Sequence, residues 1–138
     1  NVRMGDPECQ TILPKLKTDF LEIIQACTKK QLKKIKIDWQ DINSLCIVLC
    51  SKGYPDQYKK NILINNLDEI NLNQNQKIFH AGTKKVDNKT VSNGGRVLNF
   101  VNLSKTFEQA RDKNIEIIKK INWEEGFYRK DIGYKVIE

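Results

Sequence analysis

Three features of the sequence predict an α+β fold. Residues 106–121 (TFEQARDKNIEIIKKI) place Phe107, Ala110, Ile117, Ile118 and Ile121 at helical spacing, behind Thr106 and Gln109 in the arrangement of a capping box. Residues 45–50 (LCIVLC) are continuously apolar over strand length and bounded by serines, as in a strand covered on both faces. Between residues 76 and 103, β-prone runs are separated by tight-turn residues, the signature of hairpins. A helix, a sheet with hairpins and a final helix form an α+β module.

The elements follow in order. Pro14 separates a short turn or helix over 7–13 from what comes after. Phe20, Ile23, Ile24 and Cys27 recur at i, i+3, i+4 and i+7, which predicts a helix with Thr18 as N-cap. The basic run 28–35 predicts a second short helix, and DWQDIN is a polar connector with a domain boundary near Asn43. The chain therefore divides into residues 1–43 and 44–138. SKGYPDQY is a loop through Gly53, Pro55 and Asp56, and the Asn-rich stretch after it holds one short strand at 62–64. QKIFHAGTKKV predicts a single strand, and Asp87-Asn88 a tight hairpin using the left-handed region. TVSNGGRVLNFVNL predicts one long strand bent or bulged at Gly94-Gly95. Gly126 stops the last helix, with a terminal strand beyond it.

The 138 residues are 39% apolar and 30% charged, within the range of globular domains. No run approaches the roughly eighteen apolar residues of a membrane span, and no signal-peptide pattern opens the chain. Cys9, Cys27, Cys46 and Cys50 form no CxxC pair, and His80 is the single histidine, so no zinc set with ligand spacing is present. Cys46 and Cys50 lie about 13 Å apart along one strand face, too far for a disulfide. All four read as reduced, mostly buried small hydrophobes of a cytoplasmic protein. The net charge of +7 suits nucleic acid, a membrane surface or anionic small molecules. Its densest run, Lys29 to Lys36, lacks Arg, Gly and interleaved aromatics and reads as a solvated helix face.

Four stretches carry candidate chemistry. In NVRMGDPECQ, Asn1 is an oxygen donor suited to Mg²⁺, and Arg3 is a planar fork for phosphate or carboxylate. Asp6 and Glu8 suit an ammonium or amine, and Gly5 permits close backbone approach. The competing reading is a polar loop with Asp6 capping a short helix. In HAGT, His80 is a candidate base and Gly82-Thr83 a candidate phosphate cradle, against a purely structural histidine. NGGR pairs Gly94 and Gly95 with Arg96, as an anion cradle or a strand bulge, and it lacks the lysine and helix of a P-loop. YRKDIG, 128–133, is either a salt-bridged loop or part of a site.

Together NVRMGDPECQ, LCIVLCSKGYP, HAGT, SNGGRVLNFV and GFYRKDIGYK resemble the phosphoribosylamine–glycine ligases, enzymes of the ATP-grasp superfamily. Five motifs in the family's order and at about its spacing make the resemblance specific over essentially the whole chain. It implies a C-terminal third of a longer enzyme: residues 1–43 as the end of the ATP-grasp domain, and 44–138 as a small antiparallel sheet domain with packed helices. The implied reaction joins glycine to 5-phosphoribosylamine with ATP, through a glycyl phosphate, with Mg²⁺ or Mn²⁺. Position by position, the resemblance makes Asn1 a metal ligand whose glutamate partner lies outside the chain. Arg3 and Asp6 become catalytic, with Asp6 facing a substrate amine, and Gly5, Asp6 and Glu8 shape the substrate pocket. His80, Gly82, Thr83, Gly95 and Arg96 complete the substrate-binding set. Met4 departs from the aromatic common in the family. The nucleotide-binding elements fall outside the chain, so the piece alone is expected to be inactive. No nucleic acid or membrane partner is expected. The alternative is a stand-alone basic module binding RNA or an anionic metabolite through Lys29 to Lys36.

Overall fold

The computed structural model describes residues 2–137, and the expected α+β architecture is present. The apolar run at 45–50 lies inside strand β1 (Asn43–Ser51), which pairs antiparallel with β5 (Arg96–Ser104). Strands β2 (Gln76–His80) and β6 (Gly126–Phe127) flank them, giving the order β2-β5-β1-β6. A second ribbon pairs β3 (Thr83–Val86) with β4 (Lys89–Ser92). The α-helices of the described residues are α1 (Glu8–Ile12), α2 (Phe20–Thr28), α3 (Phe107–Lys120) and α4 (Tyr134–Ile137), with 3-10 turns at Leu13–Lys15 and Leu32–Lys34.

Both faces of the main sheet are covered, as the continuous apolar run requires. Register pairs Ile47 with Phe100 and Leu49 with Leu98, so these side chains share one face. There they meet Ala110, Ile117 and Ile118 of α3 in a core that also takes in Ile64, Leu67 and Trp123. The opposite face carries Cys46, Val48, Asn99 and Val101, and the short α1 segment lies against it. Thr106 caps α3 as its sequence predicts, its hydroxyl accepting from the Gln109 N–H at 3.1 Å. Thr106→Ala is expected to lower stability by about 1 kcal/mol, read as a lowered urea midpoint with unchanged slope.

Several expectations are corrected. The cap of α2 is Asp19, whose Oδ1 accepts from Leu21 N–H at 2.7 Å. Thr18 instead accepts from Asp38 N–H at 2.7 Å, tying the segment before α2 to the connector. The basic run forms no second α-helix. Lys30 takes a left-handed φ of 56°, and Lys30 N–H and Gln31 N–H turn back to Cys27 O and Ala26 O. That is a Schellman closure, and only one 3-10 turn, Leu32–Lys34, follows it.

The predicted single strand 76–86 is two strands in different sheets, broken at Ala81-Gly82. The long strand 90–103 is likewise divided between two sheets at Asn93 to Gly95, where the expected bend is a corner. The register irregularity lies beside it: Leu49 pairs with Leu98 and Cys50 with Arg96, so Val97 of β5 is the extra residue. The hairpin at Asp87-Asn88 forms as expected, with φ of 48° and 61°. Residues 62–64 contribute only a bridge, Leu63 to Val91. Near the C-terminus β6 is two residues long, and α4 replaces a terminal strand.

The cysteines are free, but only Cys46 is buried and Cys27 is exposed. Burial pushes the Cys46 thiol up to about 12, and burial also raises Cys50. A raised thiol pKa means less thiolate near neutrality. A thiol reagent at pH 8 is therefore expected to label Cys27 well ahead of Cys46 and Cys50, checked by mass mapping over time.

Candidate functional site

The corners that divide the strands bring distant motifs together. Gly82 N–H donates to Arg96 O at 2.9 Å, and Gly94 N–H donates to Gly82 O at 3.1 Å. HAGT and NGGR thus cross backbone to backbone. A Cβ at Gly82 would lie 2.5 Å from Arg96 O and 2.7 Å from Gly94 Cα, so only glycine fits the crossing. Gly95 is held against the face of the Tyr54 ring, which a Cβ would penetrate. These glycines shape the corner through their backbone.

The crossing aims Arg96 at the N-terminal motif. Its Nη1 donates to Asp6 O at 2.5 Å and lies 3.4 Å from Asp6 Oδ2, joining residues ninety positions apart. The Tyr54 hydroxyl, and after it Asp6, push the Arg96 guanidinium up, so it stays charged. Asp6 Oδ1 accepts from Gln10 Nε2 at 3.0 Å and from Asn99 Nδ2 at 3.3 Å. Both partners of the ion pair are about two-fifths exposed, so the pair contributes about 0–1 kcal/mol to stability. What it supplies is a fixed carboxylate beside a fixed guanidinium at the protein surface.

The other predicted residues fall around this pair. Glu8 folds its carboxylate over Gly5, whose carbonyl accepts from Cys9 N–H at 3.0 Å. Arg3 is exposed, and among the described residues its side chain donates to the Met4 carbonyl at 3.3 Å. The predicted helix cap at Asp6 is not made: α1 has no side-chain cap, and the Asp6 carboxylate turns to Arg96, Asn99 and Gln10 instead. His80 Nδ1 and Thr83 Oγ1 are 2.9 Å apart at the end of β2. His80 and Phe79 share an apolar groove of about 450 Å³ with Cys9, Gln10, Leu13 and Pro14. Across the Asp6–Arg96 pair, a cavity of about 270 Å³ is lined by Pro7, Cys50, Arg96, Tyr128 and Arg129 among others. YRKDIG therefore borders the same centre, with Arg129 bound to Asp131 at 2.7 and 3.1 Å.

Asn1, the predicted metal ligand, lies outside the described residues. Among the described residues no three of His, Cys, Asp and Glu come close enough to hold a metal ion. Asp6, the best-placed carboxylate, already has an arginine and two amides on it. The described residues by themselves do not form a divalent-metal site. Sequence reasoning missed Gln10, Tyr54 and Asn99. Only Asn99 had a signal, a polar residue inside the apolar run VLNFV.

The family described as "Phosphoribosylglycinamide synthetase, C domain" matches residues 44–135. The chain belongs to this family. Its relatives in the synthetase family include the phosphoribosylamine–glycine ligase of Fusobacterium nucleatum, 44% identical over 96% of this chain and 32% of that protein. The ligase of Caldanaerobacter subterraneus is 46% identical over 96% of this chain and 31% of its own length. The crystal structure of the Thermotoga maritima ligase superposes with a TM-score of 0.70 at 32% identity, covering 95% of this chain and 32% of that one. The chain thus spans about a third of the synthetase relatives it matches. Their names place them among ligases of purine biosynthesis, and their extent fits a C-terminal portion.

Proposed function

We propose that the intact protein joins glycine to 5-phosphoribosylamine, cleaving ATP to ADP and phosphate and releasing glycinamide ribonucleotide. The glycine carboxylate attacks the γ-phosphorus of ATP, ADP leaves, and glycyl phosphate forms. The amine of phosphoribosylamine then attacks the acyl carbon, loses a proton, and inorganic phosphate leaves. Chemistry of this kind depends on positioning and charge neutralisation. The observation that carries the reading is the convergence of four separated motifs on Asp6 and Arg96 in a chain of this family.

In this reading Asp6 receives a substrate amine, and Arg3 neutralises the acyl phosphate or a substrate carboxylate. Arg96, with His80 and Thr83, binds the anionic end of a substrate. Gly5, Glu8, Gly82 and Gly95 shape the pocket walls. Residues 1–43 end an ATP-grasp domain, and 44–138 form the C-terminal domain of the ligase. ATP and Mg²⁺ or Mn²⁺ are held mainly by the rest of the protein, with Asn1 as one metal ligand, and the enzyme is cytoplasmic. Helix α2 supports the division: its periodic apolar side chains Phe20 and Ile24 are 43% and 44% exposed, and only Ala26 is buried. A face of that kind fits the interior of a larger domain.

The test is ADP release by the intact protein and by the isolated chain. Intact protein is expected to release ADP only when glycine and phosphoribosylamine are both present, and the isolated chain to release none. ADP release by intact protein that ignores glycine would overturn the reading.

A further inference from the structure

Two amides donate to the same oxygen of the Asp6 carboxylate. Asn99 lies in the middle of β5, wholly buried, between Leu98 and Phe100. Its Nδ2 points at Asp6 Oδ1, while its Oδ1 is buried with no partner among the described residues. Gln10 repeats the pattern from α1: Nε2 is on Asp6 Oδ1, and its buried Oε1 has no partner among the described residues. A buried unpaired carbonyl is unfavourable; Asn102 and Asn114 are half-partnered too, but Asn99 and Gln10 differ from them in placing both donors on one carboxylate oxygen. On the same face of β5 the neighbouring residue is Val101, while Val97 joins the α3-side core at the register shift, so a valine would suit the packing at 99. The two amides instead give up an acceptor each in order to present donors to one carboxylate oxygen.

We infer that Asn99 and Gln10 are positioning residues for Asp6. They fix Oδ1, and thereby turn Oδ2, which faces Arg96, toward the open side where an amine would bind. The inference rests on the role proposed above for Asp6. The other charged or titratable groups around the carboxylate are Arg96 of β5 and the thiols of Cys46 and Cys50 of β1.

The experiment compares Asn99→Leu, Asn99→Asp, Gln10→Leu and Asp6→Asn in the intact enzyme, reading kcat/KM against pH and the thermal midpoint. Asn99→Leu is expected to lower kcat/KM by about 10–100-fold through misplacement of the carboxylate, and Gln10→Leu by about tenfold. Asn99→Asp sets a second carboxylate against Oδ1. Like charges raise the upper apparent pKa of such a pair, so the acid limb of the profile should move to higher pH. Asn99→Leu, which removes a donor from the ionised carboxylate, should move the limb the same way by less. A purely structural role would lower the midpoint and leave both the limb and kcat/KM of the leucine variants unchanged. Wild-type kcat/KM in both leucine variants, or an unshifted limb in Asn99→Asp, with Asp6→Asn impaired, overturns this inference alone. An unimpaired Asp6→Asn removes the proposed role of Asp6 and this inference with it. Should the Asn99 variants not fold, Gln10→Leu decides: full activity there overturns the inference.

Discussion

Asp6→Asn in the intact enzyme is expected to lower kcat/KM by about 100–1,000-fold while leaving the thermal midpoint within a few degrees. The side chain keeps its shape, so the loss reports charge and hydrogen-bond direction. Asn offers one acceptor and one donor group where the carboxylate offers two acceptors. Arg96, Gln10 and Asn99 are all donors, and the new NH₂ must face at least one of them. A positioned electrostatic partner of a reacting group is worth losses of this size. The half-exposed ion pair itself is worth at most about 1 kcal/mol to folding, which is why rate and stability should separate. A thermal melt beside the kinetic assay checks both halves; a large fall in the midpoint with unchanged kcat/KM would make Asp6 structural.

Phe100→Ala is expected to have the largest effect on stability, a loss of about 3–5 kcal/mol. Phe100 is fully buried, and β5 places it between Ile47 on β1 and Ile78 on β2. Strand neighbours on both sides limit collapse around the cavity, so the upper part of the range applies. For a chain of this length the midpoint should fall by about 10 °C or more. The same strand carries Arg96 and Asn99 on its way through the sheet, so the loosened variant should also lose affinity for an anionic substrate. A midpoint shift under a few degrees in a thermal melt would show that α3 does not close over this face as the core contacts indicate.

Local chemistry made some elements legible from the residues alone. Thr106 and the Phe107, Ala110, Ile117 spacing specify α3, and two consecutive residues tolerant of positive φ specify the turn at Asp87-Asn88. LCIVLC could only be a strand buried on both sides. Long-range pairing decided the rest. The bend at Gly94-Gly95 was legible, but nothing within HAGT or NGGR says that the chain passes between two sheets there, because the corner exists only where Gly82 meets Gly94. The basic run 28–35 reads as a second short helix, but Lys30 in the left-handed region closes α2 there.

The candidate site was legible as motifs and not as an arrangement. Asp6 and Arg96 were both recognisable as chemical residues, yet their pairing across ninety positions is a property of topology. Asn99 and Gln10 were invisible for a related reason: an amide reads as ordinary until its partner is known. The apolar periodicity of α2 predicted a buried face, and that face is exposed. Periodicity reports that a helix has an apolar face, and not whether the described residues cover it.

The proposed ligation is tested most directly with glycine carrying ¹⁸O in its carboxylate, supplied to the intact protein with ATP and phosphoribosylamine. Passage through glycyl phosphate transfers one carboxylate oxygen to the departing phosphate and leaves the other in the amide carbonyl. The expected result is one ¹⁸O in inorganic phosphate for each glycinamide ribonucleotide formed. Phosphate free of ¹⁸O, or labelled phosphate without the amide product, would contradict the account.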